Sequence, residues 1–397
     1  MRVLVVSKMA PWPPDSGGRV RLWNLLRRLS AHAEVMVVAF GEDDRAVDQA
    51  RAAGFDLLLV PPPKRPSGVI GLLRRVAGSL WGPPTEVAHW KSDAMTQALA
   101  EAVDAFRPDL LQVEFYQMLQ YGLEWVSHLP VSLTVIDIGW VPVHRAARLS
   151  EGLKRVYLAR QARRTRRFEV AGYNRLRAVW VMSELDASVL QSAGVRCPSR
   201  VIPNGVAVDE IAVVSAGDGS PRALFVGSAR HMPNVDALQW YLTQVHPLVR
   251  SAVSKYTLDV VGMSERQFPG PHPEGVEWHG VVPDVAPHYD LASVVVAPLR
   301  VGGGTRIKIL EAMAYGVPVV STSVGIEGIQ ADTGIHYTLA DDPQVFAAAV
   351  CDLVTGSGRE MSSRARELVE TQYSWDSVVN AQIAGYSALL KEGKRGA

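Results

Sequence analysis

Short apolar runs recur along the whole chain. Most are followed by a stretch whose apolar positions return every third or fourth residue. Arg2–Ser7 (RVLVVS) is one uninterrupted run, the pattern of a parallel strand buried on both faces. The next segment, APWPPDSGGRVRLWNLLRRLS, is held extended by its prolines as far as Pro14. Asp15 or Ser16 can then cap, and Gly17–Gly18 opens a helix with Val20, Leu22, Trp23, Leu26 and Leu29 on one face. Further strands are predicted at Glu34–Phe40, Asp56–Val60, Leu110–Val113, Val131–Ile136 and Ala178–Met182. The second half adds Ala223–Ser228, Leu258–Val261, Val276–His279, Val294–Ala297 and Val317–Val320. Helices are predicted at about Asp342–Thr355 and Arg359–Thr371, and a last one begins near Trp375. Strand and helix alternate throughout, so the fold class is α/β with doubly wound parallel sheets.

One stretch carries more chemistry than the rest. After Val294–Ala297, Gly302–Gly304 breaks the pattern and Thr305 is the expected N-cap of a helix reaching Tyr315. Gly316 stops that helix. Successive N–H groups of a glycine loop leading into a helix N-terminus form a concave anion site. Arg306, expected in the first turn, adds a bidentate cation. Glu311, about a turn and a half on, can accept from a pair of ribose hydroxyls. The plainer reading is an ordinary βαβ unit with a surface Lys308–Glu311 pair.

The run GGGTRIKILEAMAYGVPVVST resembles the donor-binding element of family 4 retaining glycosyltransferases. These have the GT-B fold, two Rossmann-like domains facing across a cleft. The resemblance implies that Glu311 holds the nucleoside ribose. It also implies that Arg306, Lys308 and the loop at Gly303, Gly304 and Thr305 hold the diphosphate. The family pattern has a second Glu eight residues before Glu311, where this chain has Gly303, so the matching sugar contact must come from backbone or elsewhere. VIPNGV (Val201–Val206) is similar to the family's crossing into the second domain, with Asn204–Gly205 supplying a turn. Residues 1–200 are then the acceptor-side domain, 201–374 the donor domain, and 375–397 a helix crossing back.

The resemblance extends to other loops. Gly17–Gly18 matches a pair that the family sets near donor phosphate and acceptor, although a plain turn needs glycines too. Gly227 ends a strand, and related enzymes carry a basic side chain on the next loop. Arg230 fills that place, with His231 equally available. After the strand of VIDIGWVPVHR, family members set a histidine near the reacting sugar. Asp137, Gly139 and His144 are offered here, and His144 is the candidate acceptor contact or base.

Composition narrows the class. The 397 residues suit two domains, and 48% hydrophobic, 20% charged and a net charge of +1 describe a soluble globular chain. No apolar run is long enough for a bilayer, and the N-terminus enters a strand directly. Cys197 and Cys351 make no zinc motif, and two reduced thiols point to the cytoplasm. No Asp-x-Asp pair lies in a donor loop, so neither metal nor cofactor is expected beyond the nucleotide sugar. From Arg145 to Arg177 there are eleven Lys/Arg against Glu151 and Glu169. That stretch is a solvated face, or one that draws the protein to an anionic acceptor or to the inner membrane surface. Val69–Trp81, apolar with Arg74–Arg75, is a packed helix or an amphipathic face. No interleaved aromatics suggest nucleic acid.

The expectation is a cytoplasmic enzyme transferring a sugar, with retention and without metal, to a saccharide, lipid-linked or small-molecule acceptor. Two alternatives remain at this level. One is a nucleotide-sugar 2-epimerase on the same fold, and the other is a non-catalytic nucleotide-sugar-binding subunit of a polysaccharide assembly.

Overall fold

A computed structural model describes residues 1–64, 82–148, 150–214, 219–301, 306–356 and 358–393. The expected elements at Val69–Trp81 and Gly302–Thr305 lie outside the described residues. The chain forms two compact units, Met1–Pro203 with Val378–Ala397, and Asn204–Ser377.

The first unit is built on seven strands. They are β1 (Arg2–Ser7), β2 (Glu34–Phe40), β3 (Asp56–Val60), β4 (Leu110–Glu114), β5 (Val131–Val135), β6 (Ala178–Val181) and β7 (Ser199–Val201). Their spatial order is β3-β2-β1-β4-β5-β6-β7, and every pair is parallel. Val3, Leu4, Val5 and Val6 of β1 are all buried, which is why that strand reads as a continuous apolar run. The second unit repeats the plan with β8 (Arg222–Val226), β9 (Thr257–Val261), β10 (Val276–Gly280), β11 (Val294–Ala297), β12 (Val319–Ser321) and β13 (Thr338–Leu339). Here the order is β10-β9-β8-β11-β12-β13, again parallel. Both units are thus doubly wound parallel α/β sheets, as expected for both domains.

β7 and β13 escape the hydrophobic pattern because they are short edge strands. Ser199 and Arg200 are exposed, and β13 has only two residues. In each sheet the strand order reverses once, between β1 and β4 in the first and between β8 and β11 in the second. Open α/β sheets bind ligands at the carboxyl ends of the strands flanking such a reversal.

Several helix ends follow their local chemistry. Ser183 accepts from Asp186 N at 3.1 Å to start Glu184–Ala193, and Gly194 at φ +103° closes it. Asp342 caps Pro343–Thr355 through Gln344 N at 2.8 Å. Asn204–Gly205, however, makes no turn. Gly205 lacks a positive φ, and a Cβ there would stand 2.7 Å from the Trp375 ring. Close packing, not turn chemistry, requires that glycine. Trp375 begins the helix Trp375–Gly393, whose later residues belong to the first unit, with Tyr386 edge-on to Trp180 at 6.1 Å.

Candidate functional site

In the second unit, the segment leaving β11 is fixed before it reaches the glycine loop. Arg300 donates to both carboxylate oxygens of Asp236, at 2.6 and 3.2 Å, which ties it to the helix Met232–Trp240. Gly303, Gly304 and Thr305 lie outside the described residues. The next helix runs Ile307–Tyr315, and Arg306 itself holds the N-cap position with an extended backbone, φ −84° and ψ 94°. Its carbonyl accepts from Ile309 N at 2.9 Å, the first bond of the helix. The capping position expected for Thr305 therefore belongs to Arg306, which does not lie in the first turn. Gly316, at φ +78°, closes the helix as its position implies.

Lys308 is not half of a surface pair. Its ammonium donates to Val226 O at 3.0 Å and to Asn234 Oδ1 at 2.8 Å, and it sits 5.1 Å from the centre of the Phe225 ring. A side chain from the helix after β11 thus grips the end of β8, across the point where the strand order reverses. Burial, reinforced by the charge of Arg306, pushes this lysine down to about 7, while Glu311 opposes the shift. An ammonium has three N–H groups, and two are used here. Burial raises the Glu311 carboxyl and the Lys308 charge holds it down. Burial likewise raises Tyr289 and Tyr315, with Glu311 adding to both shifts. These two rings stack at 4.3 Å.

The neighbouring loop completes the group. His231 takes the N-cap position of Met232–Trp240, and burial lowers its pKa, followed by the charges of Lys308 and Arg306. Arg230 is exposed, with its backbone N–H on Ser228 Oγ at 3.3 Å. A Cβ on Gly227 would fall 2.9 Å from Asn234 Cγ, so glycine makes room for the residue that holds Lys308. The structure therefore gathers Arg306, Lys308, His231 and Glu311. Asn204 is instead buried beside Gly205, where Trp375 packs. A cavity of about 880 Å³ lies at the opposite, amino-terminal edge of this sheet, beneath Gly316–Pro318. Its Arg366 is already engaged by the carbonyls of Val208 and Ile211, and the cavity is remote from the chemistry of the cluster.

In the first unit, Gly17 and Gly18 open the helix Gly17–Leu29 at the β1/β4 reversal. Ser16 is the N-cap by backbone, without a side-chain cap bond. A Cβ on Gly18 would lie 3.2 Å from the Phe115 ring. Phe115 follows β4 at φ +72°, a strained setting for a side-chain-bearing residue. Lys8 Nζ stands 4.2 Å above the same ring. Its pKa is lowered by burial and pulled back by Asp137 and Glu86. Gly139 packs on Tyr116, where a Cβ would fall 2.6 Å from the ring. Among the described residues no contact joins His144 to this group. It is exposed on the helix Trp140–Arg148.

Three buried charged residues were not anticipated. Glu169 accepts from Gly139 N at 3.0 Å and Tyr173 Oη at 2.8 Å, and burial raises its pKa to about 8. Arg21, fully buried, donates to Pro203 O at 2.6 Å and Ile202 O at 3.1 Å. Glu114 accepts from Thr134 Oγ1 at 2.8 Å, and burial raises it to about 7 against the pull of Arg21. Signals existed for two of these. Arg21 falls on the same helical stripe as Leu22, Leu25 and Leu29, and Glu114 ends the core strand LLQVE.

The same two-part division appears in comparisons with known proteins. Residues 16–210 match the family model described as "Glycosyltransferase Family 4", and residues 220–356 match "Glycosyl transferases group 1". Sucrose-phosphate synthase from Thermosynechococcus elongatus has a similar structure at TM-score 0.69 and 16% identity, covering 99% of this chain and 100% of that one. HepE from Anabaena, in complex with UDP-glucose, is similar at TM-score 0.67 and 15% identity, covering 98% and 99%. At such identities the likeness speaks for the fold. An uncharacterized 44.6 kDa protein in the cps region of Klebsiella pneumoniae is 25% identical over 182 residues. That match spans 43% of this chain and 45% of the relative, less than half of its length.

Proposed function

The chain belongs to the family 4 glycosyltransferases, and we propose that it moves a sugar from a nucleoside-diphosphate sugar to an acceptor hydroxyl with retention at the anomeric carbon. The observation that carries this reading is the convergence of Lys308 and Arg306 at the β8/β11 reversal, beside the start of the helix Ile307–Tyr315. Aligned N–H groups and two cations favour an anion at that place. As the glycosidic bond breaks, negative charge grows on the leaving diphosphate, and preorganised donors gain strength towards that state. We assign this work to protein cations without a metal ion. Glu311, one turn beyond Lys308, is assigned to the ribose hydroxyls. Gly17–Gly18 and the group around Lys8 and Asp137 are assigned to the acceptor side. The UDP-glucose complex of the similar HepE supports a nucleotide-sugar donor.

The test is a panel of nucleoside-diphosphate sugars with saccharide and lipid-linked acceptors. Released nucleoside diphosphate is quantified with and without a chelator, and the product anomer is read by NMR. Acceptor-dependent release with the donor's anomeric configuration supports the reading. An inverted product rejects retention, loss with chelator rejects the metal-free assignment, and donor binding without release makes the chain a binding subunit.

A further inference from the structure

The helix Gly152–Tyr173 carries most of the basic stretch, and its two ends are set differently. Its later turns bury Gln161, Ala162, Thr165, Glu169, Gly172 and Tyr173 along one stripe. From Glu151 to Tyr157 every residue is exposed. Three of these are large and apolar, with Leu153 89%, Val156 65% and Tyr157 41% exposed. Together they form a contiguous exposed apolar cluster at one helix end, which is more informative than single exposed apolar residues.

Helix geometry puts these residues together. Spacings of three and four residues align Leu153, Val156, Arg160, Arg163 and Arg167 on one face, opposite the buried stripe. Lys154 and Arg155 are exposed on the other side of the same first turns, and Arg145 and Arg148 are exposed on the preceding helix Trp140–Arg148. Of the stretch's two carboxylates, Glu169 is turned inward onto Gly139, and Glu151 is exposed at the helix start, outnumbered there by the surrounding cations. Arg164 is occupied by the carbonyls of Gly82 and Pro83 at 2.6 and 3.1 Å. What faces outward is an apolar tip framed by cations.

We propose that this face docks on an anionic bilayer, with Leu153, Val156 and Tyr157 entering the boundary between headgroups and acyl chains. Arg163 and Arg167, on the same face, then lie over the lipid phosphates, with their methylene stems along the apolar surface. Each such charge strengthens partition about fivefold near an anionic leaflet. A second copy of the chain is a poorer occupant, since two faces of the same basic sign repel. The proposal is independent of the transferase reading, because its test measures lipid binding and not turnover.

The experiment is flotation of the full chain with vesicles of phosphatidylcholine alone or with about a third phosphatidylglycerol. Binding should be at least tenfold stronger to the anionic vesicles and should weaken steeply between about 0.05 and 0.5 M salt. Leu153→Ser with Val156→Ser should reduce binding about tenfold at low salt. Arg163→Gln with Arg167→Gln should both weaken binding and flatten its salt dependence. All four side chains are exposed, so melting temperatures should stay unchanged and loss of fold cannot mimic the result. Relative to the wild type, whose ten tryptophans set the background, the Tyr157→Trp variant should show an added blue-shifted emission on anionic vesicles. Equal recovery with both vesicle types, or no emission shift in that variant, overturns the proposal. So does a concentration-dependent dimer abolished by Leu153→Ser with Val156→Ser in the absence of vesicle binding, which would assign the face to a second copy.

Discussion

The two sheets reverse their strand order at equivalent places, yet the chain furnishes those places with opposite electrostatics. At β8/β11, Lys308, Arg306 and His231 gather beside two helix starts, and Glu311 is the one carboxylate whose charge opposes the lysine's shift. At β1/β4 and the adjoining end of β5, one lysine, Lys8, is met by Asp137 and Glu86 over an aromatic floor of Phe115. The helix there opens on two glycines, with no basic residue before Arg19. Topology supplies a crevice in each unit, and side-chain charge decides what suits it. On the proposed reading the second is the diphosphate side and the first the acceptor side. Fold alone does not make that distinction.

The sharpest way to break this comparison is to remove Arg306, the cation assigned to the leaving group. Arg306→Ala should lower kcat about 10²–10³-fold while raising donor KM far less. Arg306→Lys should recover only part, because the planar fork is lost. A rise in KM with kcat intact would show uniform binding and remove Arg306 from the transition state.

The next test concerns Lys308, which the structure buries against Val226 O and Asn234 Oδ1. Its pKa of about 7 lies below the ordinary lysine value of 10.5, so the charged form fades as pH rises through neutrality. On the proposed reading a nucleoside diphosphate binds the charged form, so its affinity should be greatest below pH 7. It should fall roughly tenfold per unit above that until the bound-state pKa is reached. Calorimetry in buffers of different ionisation enthalpy should show proton uptake on binding. Lys308→Met should weaken binding and abolish that pH dependence. A flat wild-type profile between pH 6 and 9 contradicts the assignment.

Glu311→Ala should weaken nucleotide binding about tenfold or more, since a hydrogen bond to a charged acceptor contributes about 1.5–3 kcal/mol. The binding enthalpy and affinity of the free nucleotide measure it directly, and unchanged affinity would take the ribose from Glu311.

The smallest effect belongs to the first unit, where Glu169 holds the loop at Gly139. Glu169→Ala strands a buried backbone N–H and should cost about 1–3 kcal/mol of stability. Glu169→Gln keeps an acceptor and should be far milder. The folded pKa of about 8 exceeds the ordinary value of 4.5, so ionisation opposes folding. That penalty is absent below about pH 4.5, accumulates as pH rises to about 8, and is constant above. Denaturation midpoints should therefore converge at acid pH and favour Glu169→Gln above neutrality. Parallel curves at all pH values would show that Glu169 does not titrate in this window.

Much of this architecture is legible without coordinates, because it rests on local rules. Continuous valine and leucine runs mark strands covered on both faces, and Gly194 and Gly316 sit where a left-handed cap must. The donor-loop motif likewise names Arg306 and Glu311 as candidates in advance. Edge strands β7 and β13 are missed because exposure removes the apolar pattern that would reveal them. Reading Thr305 as the cap fails by one residue, since cap position depends on backbone angles that a Thr-Arg pair does not specify.

What only the tertiary structure decides is which polar side chains become buried and against what. Lys308 meets Val226 across 82 residues of sequence, and Arg21 meets Pro203 across 182. The plainer reading of the sequence makes Lys308 a surface neighbour of Glu311, three residues away. In the folded chain it is a desolvated cation at the end of another strand. The physical reason is one of range. Periodicity and capping act over a few residues, whereas desolvation and charge coupling depend on distances through space, which exist only once the sheets have set their strand order.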